Sequence, residues 1–314
     1  MRKTLLTAGL LLAMALVATP AGAQQFINIL TGGTSGVYYP LGNALSAIWS
    51  KALPDAKVTV QATKASVENL NLLQAGKGEA AFALGDSVAF AWAGDAEMGF
   101  SGKLDALRTI ASVYPNYIQI VASKESGIRT LADLKGKRVS VGAPKSGTEV
   151  NARTVFAAAG LTYSDMSVQY LPFGESVELM KNRQLDATLQ SAGLGVASIR
   201  DLASSIPINV VAIPVEIVTK IGDPTFLAAQ IPAHTYQGQD EAVPTVAINN
   251  LLMTRAGVPD DTVYIMTKSM FENLPELVAA HAAAGAISLQ SAAKGFTVPL
   301  HPGAARYYKE KGVM

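Results

Sequence analysis

Phe26-Ile27-Asn28-Ile29-Leu30, followed by Thr31-Gly32-Gly33-Thr34-Ser35-Gly36-Val37-Tyr38-Tyr39-Pro40, decides the reading of this chain. The first five residues form a short apolar run, as in a buried strand. Three glycines and three hydroxyl side chains then make a turn. Beyond it Val37, Leu41, Leu45, Ile48 and Trp49 recur at helical spacing. Pro40 is tolerated in a first turn, where N–H groups have no intrahelical partner. Strand, glycine turn and helix N-terminus together aim free N–H groups and a partial positive charge at one point. The stretch therefore predicts one wall of a small-anion site around Thr34, Ser35, Gly36 and Tyr39. Such turns also serve simply to reverse the chain. No Gly-Lys-Ser/Thr follows, so this is not a nucleotide-hydrolase phosphate loop. Gly32, Gly33 and Gly36 are not spaced as G-x-G-x-x-G, so it is not a dinucleotide fingerprint either.

The same logic recurs along the chain. Val141 to Glu149 reads strand, Gly/Ser/Thr turn, helix, with Ser146 and Glu149 at capping-box spacing. Ser146, Gly147 and Thr148 thus pair with the first turn as a second jaw, although capping alone also accounts for Ser146 and Glu149. Lys64, Ser66 and Asn69 lie on a third strand-to-helix turn, Asp86 and Ser87 on a fourth, Ser191 and Gly193 on a fifth. In parallel sheets such turns sit at the carboxyl ends of strands, the usual ligand face. Lys64 and Lys145 are the only cations in the first three turns considered; they either pair with a carboxylate or remain solvated.

Strand-like and helix-like segments alternate nearly throughout, which predicts an α/β fold with mainly parallel sheets. The first block ends after two strands, Leu107–Val113 and Ile118–Ala122. A second strand–turn–helix block follows to Ile213. Ile231–Pro244 reads as a crossing, and Thr245–Met253 as a strand returning to the first block. The expectation is two lobes, residues 24–121 plus 244–314 and residues 122–243, with a ligand cleft between them.

Residues 1–23 read as a secretory signal peptide: Arg2 and Lys3, an apolar stretch from Thr4 to Val17, and an A-x-A site at Ala21–Ala23. Cleavage is expected before Gln24, leaving 291 of the 314 residues. No cysteine occurs anywhere, which excludes disulfides, thiolate metal sites and a lipid-anchored cleavage site. No other apolar run approaches the roughly 20 residues that span a bilayer. Two of the 25 basic residues and none of the 24 acidic ones lie in the leader, so the remainder carries a formal charge of −1 (23 against 24). A near-neutral chain without a basic cluster is not expected to bind nucleic acid.

The search for an enzyme is unrewarding. His234, His281 and His301 show no metal-binding spacing, and there is no G-x-S-x-G elbow. The acid pairs Asp95/Glu97, Asp240/Glu241 and Asp260/Asp261 fall at turns or helix starts, where solvation and the helix dipole account for them. The expectation is a protein that is not an enzyme and uses no cofactor or metal.

Thr31–Pro40 (TGGTSGVYYP), Ala65–Asn69 (ASVEN), Lys135–Thr148 (KGKRVSVGAPKSGT), Tyr236–Asp240 and His301–Ala305 together resemble the TAXI family of TRAP-associated extracytoplasmic solute-binding proteins. The resemblance spans nearly the whole chain after the leader, in order. It implies a type II, two-lobed periplasmic binding protein. Such a protein would pass a small anionic organic solute, such as glutamate or 2-oxoglutarate, to a TRAP membrane permease driven by an ion gradient. It implies that Thr34, Ser35, Gly36, Tyr39, Ser66, Asn69, Ser146, Gly147 and Thr148 line the cleft. Lys64 and Lys145 depart from the small residues expected there. A sensory protein that presents the same solute to a membrane receptor or histidine kinase is the alternative. The expected location is the periplasm and the expected state a monomer.

Overall fold

The structure is a computed structural model that describes residues 24–314; the signal-peptide reading concerns residues outside that range. It begins with β1 (Gln25–Leu30), α1 (Tyr38–Ala52), β2 (Ala56–Gln61), α2 (Ser66–Gln74), β3 (Ala80–Leu84) and α3 (Gly85–Ala93). β1 pairs in parallel with β2 and β3. α1 turns Leu41, Leu45, Ile48 and Trp49 inward, the stripe that its 3.6-residue period dictates. Trp49 is fully buried and donates its indole N–H to the Met266 carbonyl at 3.0 Å, which satisfies its one polar atom.

β4 (Leu107–Ser123) then runs unbroken for 17 residues. The second half of the molecule comprises β5 (Arg138–Ser140), α4 (Gly147–Ala158), β6 (Ser167–Gln169), α5 (Phe173–Lys181), β7 (Ala187–Ala192), α6 (Ala197–Ser205) and β8 (Ile208–Val211). α7 (Val215–Ile221) and β9 (Leu227–Ile231) complete it. β5 pairs in parallel with β6 and β7. β10 (Val243–Arg255) leads back to the first half, where α8 (Asp260–Glu272), α9 (Leu274–Ala280), α10 (Leu289–Ala292) and α11 (Pro302–Glu310) close the chain.

The strands form one continuous sheet in the order β2-β1-β3-β10-β4-β7-β5-β6, with β8 on β4 and β9 on β10. The flanks are parallel and the centre is antiparallel. Among the described residues four pairings are parallel and five antiparallel, so the expectation of mainly parallel sheets fails at the middle. The reason is that β4 and β10 belong to both halves. β4 pairs with β10 over Leu107–Tyr117 and with β7 over Tyr117–Ala122. β10 pairs with β3 over Asn250–Met253 and with β9 over Val243–Ala247. The architecture is a two-lobed α/β fold joined by two long strands.

Pro115 explains why β4 reads as two strands in the sequence. A proline has no N–H for a ladder, so it argues against a central strand. In the structure Pro115 faces Asn249, and the register of β10 shifts between Asn249 and Leu251. The bulge absorbs the missing donor and lets the strand continue.

Two of the segments that carry the family resemblance are scaffolding. His301 is fully buried, accepts from the Gly303 N–H through Nδ1 at 3.2 Å and thereby caps α11. Its Nε2 lies 3.0 Å from the Val258 carbonyl. A Cβ on Gly303 would lie 2.2 Å from the Asp260 carbonyl oxygen, so only glycine fits there. Tyr236 donates its hydroxyl to Gln119 Oε1, and Gln239 donates to the carbonyls of Pro232 (2.9 Å) and Glu241 (2.8 Å). The Gln239 bonds brace the segment between β9 and β10 internally, and the Tyr236 bond fastens it to β4.

Candidate functional site

A cavity of about 120 Å³ lies where the two halves meet. The turn before α1 contributes Gly32, Gly33, Ser35 and Gly36, and the start of α4 contributes Ser146, Gly147 and Thr148. The turn before α2 adds Thr63, Lys64 and Ser66. The long strand β4 adds Tyr114 and Asn116, and β7 adds Ser191. Apolar contacts come from Val37, Leu84, Phe173 and Ala192, among others.

The two facing helix N-termini differ in how they are capped. α1 starts after Val37, which offers no side-chain cap. α4 is capped by Ser146, whose Oγ accepts from the Glu149 N–H at 3.1 Å. The reciprocal half of the predicted capping box is missing. The Glu149 carboxylate turns instead to Arg153, one helical turn on (2.5 Å), and to the Tyr163 hydroxyl (3.1 Å). The N–H groups of Gly147 and Thr148, in the first turn of α4, have no intrahelical acceptor. Replacing Ser146 by Ala should lower stability by about 1 kcal/mol, the usual value of such a cap. A urea unfolding curve of Ser146→Ala would read this; an unchanged midpoint would contradict it.

The structure brings eight of the predicted residues onto the cavity: Ser35, Gly36, Lys64, Ser66, Ser146, Gly147, Thr148 and Ser191. Seven others are not on its wall. Thr34 is exposed at the tip of its turn, and Tyr39 is half-buried on another face of α1, while its neighbour Tyr38 lines the cavity. A one-residue step on a helix rotates the side chain by about 100°, which suffices to exchange the two tyrosines. Asn69 is fully buried, and its amide is spent within the fold. It donates to the carbonyls of Thr31 (2.6 Å) and Phe82 (2.8 Å) and accepts from Thr63 (2.6 Å). Lys145 is exposed with φ 62°, and its carbonyl accepts from the Glu68 N–H at 3.2 Å. Gly193 packs on Ala283, to which an added Cβ would approach within 2.9 Å.

Asp86 and Ser87 are fully buried away from the cavity. Asp86 Oδ2 accepts from Asn151 Nδ2 at 2.6 Å, a bond from α3 of the first half to α4 of the second. Asp86 Oδ1, Ser87 Oγ and Asn151 Oδ1 have no partner among the described residues. Burial, reinforced by the nearby Asp223 carboxylate, pushes the Asp86 carboxyl up to about 7.

Sequence reasoning missed the residues of the crossing strands. The Tyr38 hydroxyl donates to Asn250 Oδ1. Asn250 Nδ2 donates to Asn116 Oδ1 (2.7 Å) and to the Tyr114 carbonyl (2.9 Å). Asn116 Nδ2 donates to the Ser191 carbonyl (2.8 Å). This relay ties α1, β10, β4 and β7 together behind the cavity. Its signal in the sequence is Tyr114-Pro115-Asn116 and Asn249-Asn250, polar residues set inside long apolar runs. Phe173, at the start of α5, approaches Gly36 from the opposite half, within 3.9 Å of an ideal Cβ there. Among the described residues no group of three or more His, Asp or Glu is placed to hold a metal ion. No described helix is long and apolar enough to cross a membrane.

Solved structures share this fold. The periplasmic binding protein BugD superposes with a TM-score of 0.60 at 14% identity, covering 93% of this chain and 95% of its own. The alkanesulfonate-binding protein of Xanthomonas axonopodis pv. citri, bound to MOPS, gives 0.51 at 16%, covering 91% and 90%. A binding component of a phosphonate ABC transporter from Pseudomonas aeruginosa gives 0.55 at 12%, covering 83% and 79%. The chain thus has the fold of the periplasmic binding proteins. The model of the NMT1-like family matches residues 29–312, and the chain belongs to that family.

Proposed function

We propose that this protein is a periplasmic solute-binding protein that captures a small carboxylate, such as glutamate, 2-oxoglutarate or a similar organic acid, and passes it to a TRAP membrane permease. The observation that carries this reading is the cavity between the uncapped start of α1 and the first turn of α4, one from each half. Both helix ends favour negative charge, and their N–H groups make charge-assisted hydrogen bonds, about twice as strong as neutral ones. Ser35, Ser66 and Thr148 add hydroxyls, and Lys64 adds a positive field at the rim. Phe173, reaching towards Gly36 from the opposite half, covers the solute.

In this reading the halves, residues 24–121 plus 244–314 and residues 122–243, close on the solute by flexing β4 and β10. Binding without chemistry fits the lining, which holds no paired acid and base and no histidine. The fold is shared with sulfonate- and phosphonate-binding proteins, so the anion class is the first thing to test. A thermal-shift and calorimetry panel of carboxylates, alkanesulfonates and phosphonates does so. A carboxylate at a hundred times its Kd is expected to stabilise by about 2.7 kcal/mol. Stabilisation by a sulfonate or phosphonate alone would overturn the carboxylate assignment. Uptake into vesicles carrying the permease separates the transporter classes: solute entry that follows an ion gradient without ATP supports the TRAP type, and ATP-dependent entry refutes it.

A further inference from the structure

Two buried side-chain oxygens on the cavity wall have no hydrogen-bond partner among the described residues. Tyr114, on β4, is 2% exposed, and its hydroxyl has no partner among the described residues. Ser191, on β7, is 5% exposed, and its Oγ likewise has none. Both line the cavity. A buried hydroxyl without a partner is costly, and each such group in a native fold calls for a partner from outside it. They sit on adjacent central strands, whereas the lining lysine, Lys64, is exposed. The cavity thus has a charged rim and an uncharged floor.

The backbone relay holds this floor in place. Asn116 donates to the Ser191 carbonyl at 2.8 Å, and Asn250 donates to the Tyr114 carbonyl at 2.9 Å. The backbone of each residue is thus anchored while its hydroxyl stays free. Burial, with the neighbouring Tyr38 phenol, keeps the Tyr114 phenol protonated well beyond the usual range, so it serves as a donor.

Building on the carboxylate reading, we propose that Tyr114 and Ser191 are specificity-determining residues that read an uncharged oxygen on the solute, a keto, amide or hydroxyl group, at the end away from its carboxylate. A second carboxylate on this floor would lose its hydration with two neutral hydroxyls in return and no cation beside it. Burying an ion is tolerated only where it is paired. Within the carboxylate class named above, the floor therefore favours a similar organic acid with one carboxylate at the helix N-termini and an uncharged acceptor at the other end over the dicarboxylates glutamate and 2-oxoglutarate.

Matched solutes test this by calorimetry on the full protein: L-glutamine against L-glutamate, and 5-oxohexanoate against glutarate. In each pair the member with a single carboxylate is expected to bind at least tenfold more tightly. Tyr114→Phe and Ser191→Ala, whose folding is checked by thermal melts, are each expected to weaken that member by about tenfold. Neither should change the affinity for 4-methylpentanoate, which lacks the second acceptor. Tighter binding of the dicarboxylates, or wild-type affinities in both variants, would overturn the proposal while leaving carboxylate binding intact. Failure of every carboxylate to bind would instead overturn the carboxylate reading, and this inference with it.

Discussion

Gly147→Val is expected to weaken solute binding by up to about a hundredfold while leaving the folded protein intact. Gly147 is the first residue of α4 and the point where the second half meets the first. A Cβ there would lie 2.6 Å from Ser66 Oγ, 2.7 Å from Leu84 Cδ1 and 2.9 Å from Ser66 Cβ. Ser66 has no freedom to retreat, because its Oγ accepts the Leu84 N–H at 3.1 Å. Overpacking of this kind costs about 1–3 kcal/mol for a few added methylenes, and a factor of 100 is about 2.8 kcal/mol. If the halves close on the solute as proposed, they escape the clash by staying apart, and the cost falls on closure and not on either core. Calorimetry should show the heat of binding lost, and urea unfolding should show a midpoint close to that of the parent. Affinity retained within threefold would mean that the solute does not require this closed arrangement.

The second large effect is a dependence of stability on pH that Asp86→Asn removes. The groups that face Asp86 are Ser87 on its own helix, Asn151 on α4 and the Asp223 carboxylate from the loop before β9. Its carboxyl is raised from 3.8 to about 7, chiefly by burial. A raised carboxyl pKa means that the folded state holds the proton more tightly than the unfolded chain. The associated stability is therefore complete below about pH 4, is lost as pH rises towards about 7, and does not change above that. Within this window the loss is at most about 1.4 kcal/mol per pH unit. Protonated Asp86 can donate to Asn151 Oδ1, which otherwise has no partner. The amide introduced by Asp86→Asn donates there at every pH. The variant is thus expected to match the parent below about pH 4 and to exceed it at pH 8. Urea unfolding of both proteins at pH 4, 6 and 8 gives the difference. A difference that stays constant across this range would show that Asp86 does not hold a proton in the folded state.

Both predictions centre on α4, whose first two turns carry the contacts between halves. Gly147 abuts Ser66, the Lys145 carbonyl just before it receives the Glu68 N–H, and Asn151 meets Asp86. Arg153 reaches the Glu97 carbonyl at 2.6 Å. The sequence presents the turn before α2 as a ligand turn. In the structure the N–H of Glu68 bonds the Lys145 carbonyl across the halves, and only Lys64, Ser66 and their neighbours Thr63 and Ala65 face the cavity.

What the sequence determined by itself is local. Apolar period and turn chemistry identified the α/β class and the strand–turn–helix units at Gly32–Gly36 and Gly142–Gly147. They also identified the return of the chain through Thr245–Met253. Such features are written in neighbouring residues, because helix and strand periods and positive-φ turns depend on little else. The second capping partner was misread because Glu149 had a better one in Arg153 and Tyr163, and only packing brings Tyr163 near. Tertiary structure alone decided which turn residues face the cavity: Tyr38 and not Tyr39, Ser66 and not Asn69. It also decided that β4 passes through Pro115: the bulge that permits this sets Val113 and Tyr114 of β4 against the single Asn250 of β10, a partner more than a hundred residues away. The site draws on α1, β4, α4 and β7, and its uncharged floor exists only where the crossing strands meet. A hydroxyl in the sequence is merely a donor; whether it is used within the fold, as in Thr63, or left for a solute, as in Tyr114, is settled by what the rest of the chain places beside it.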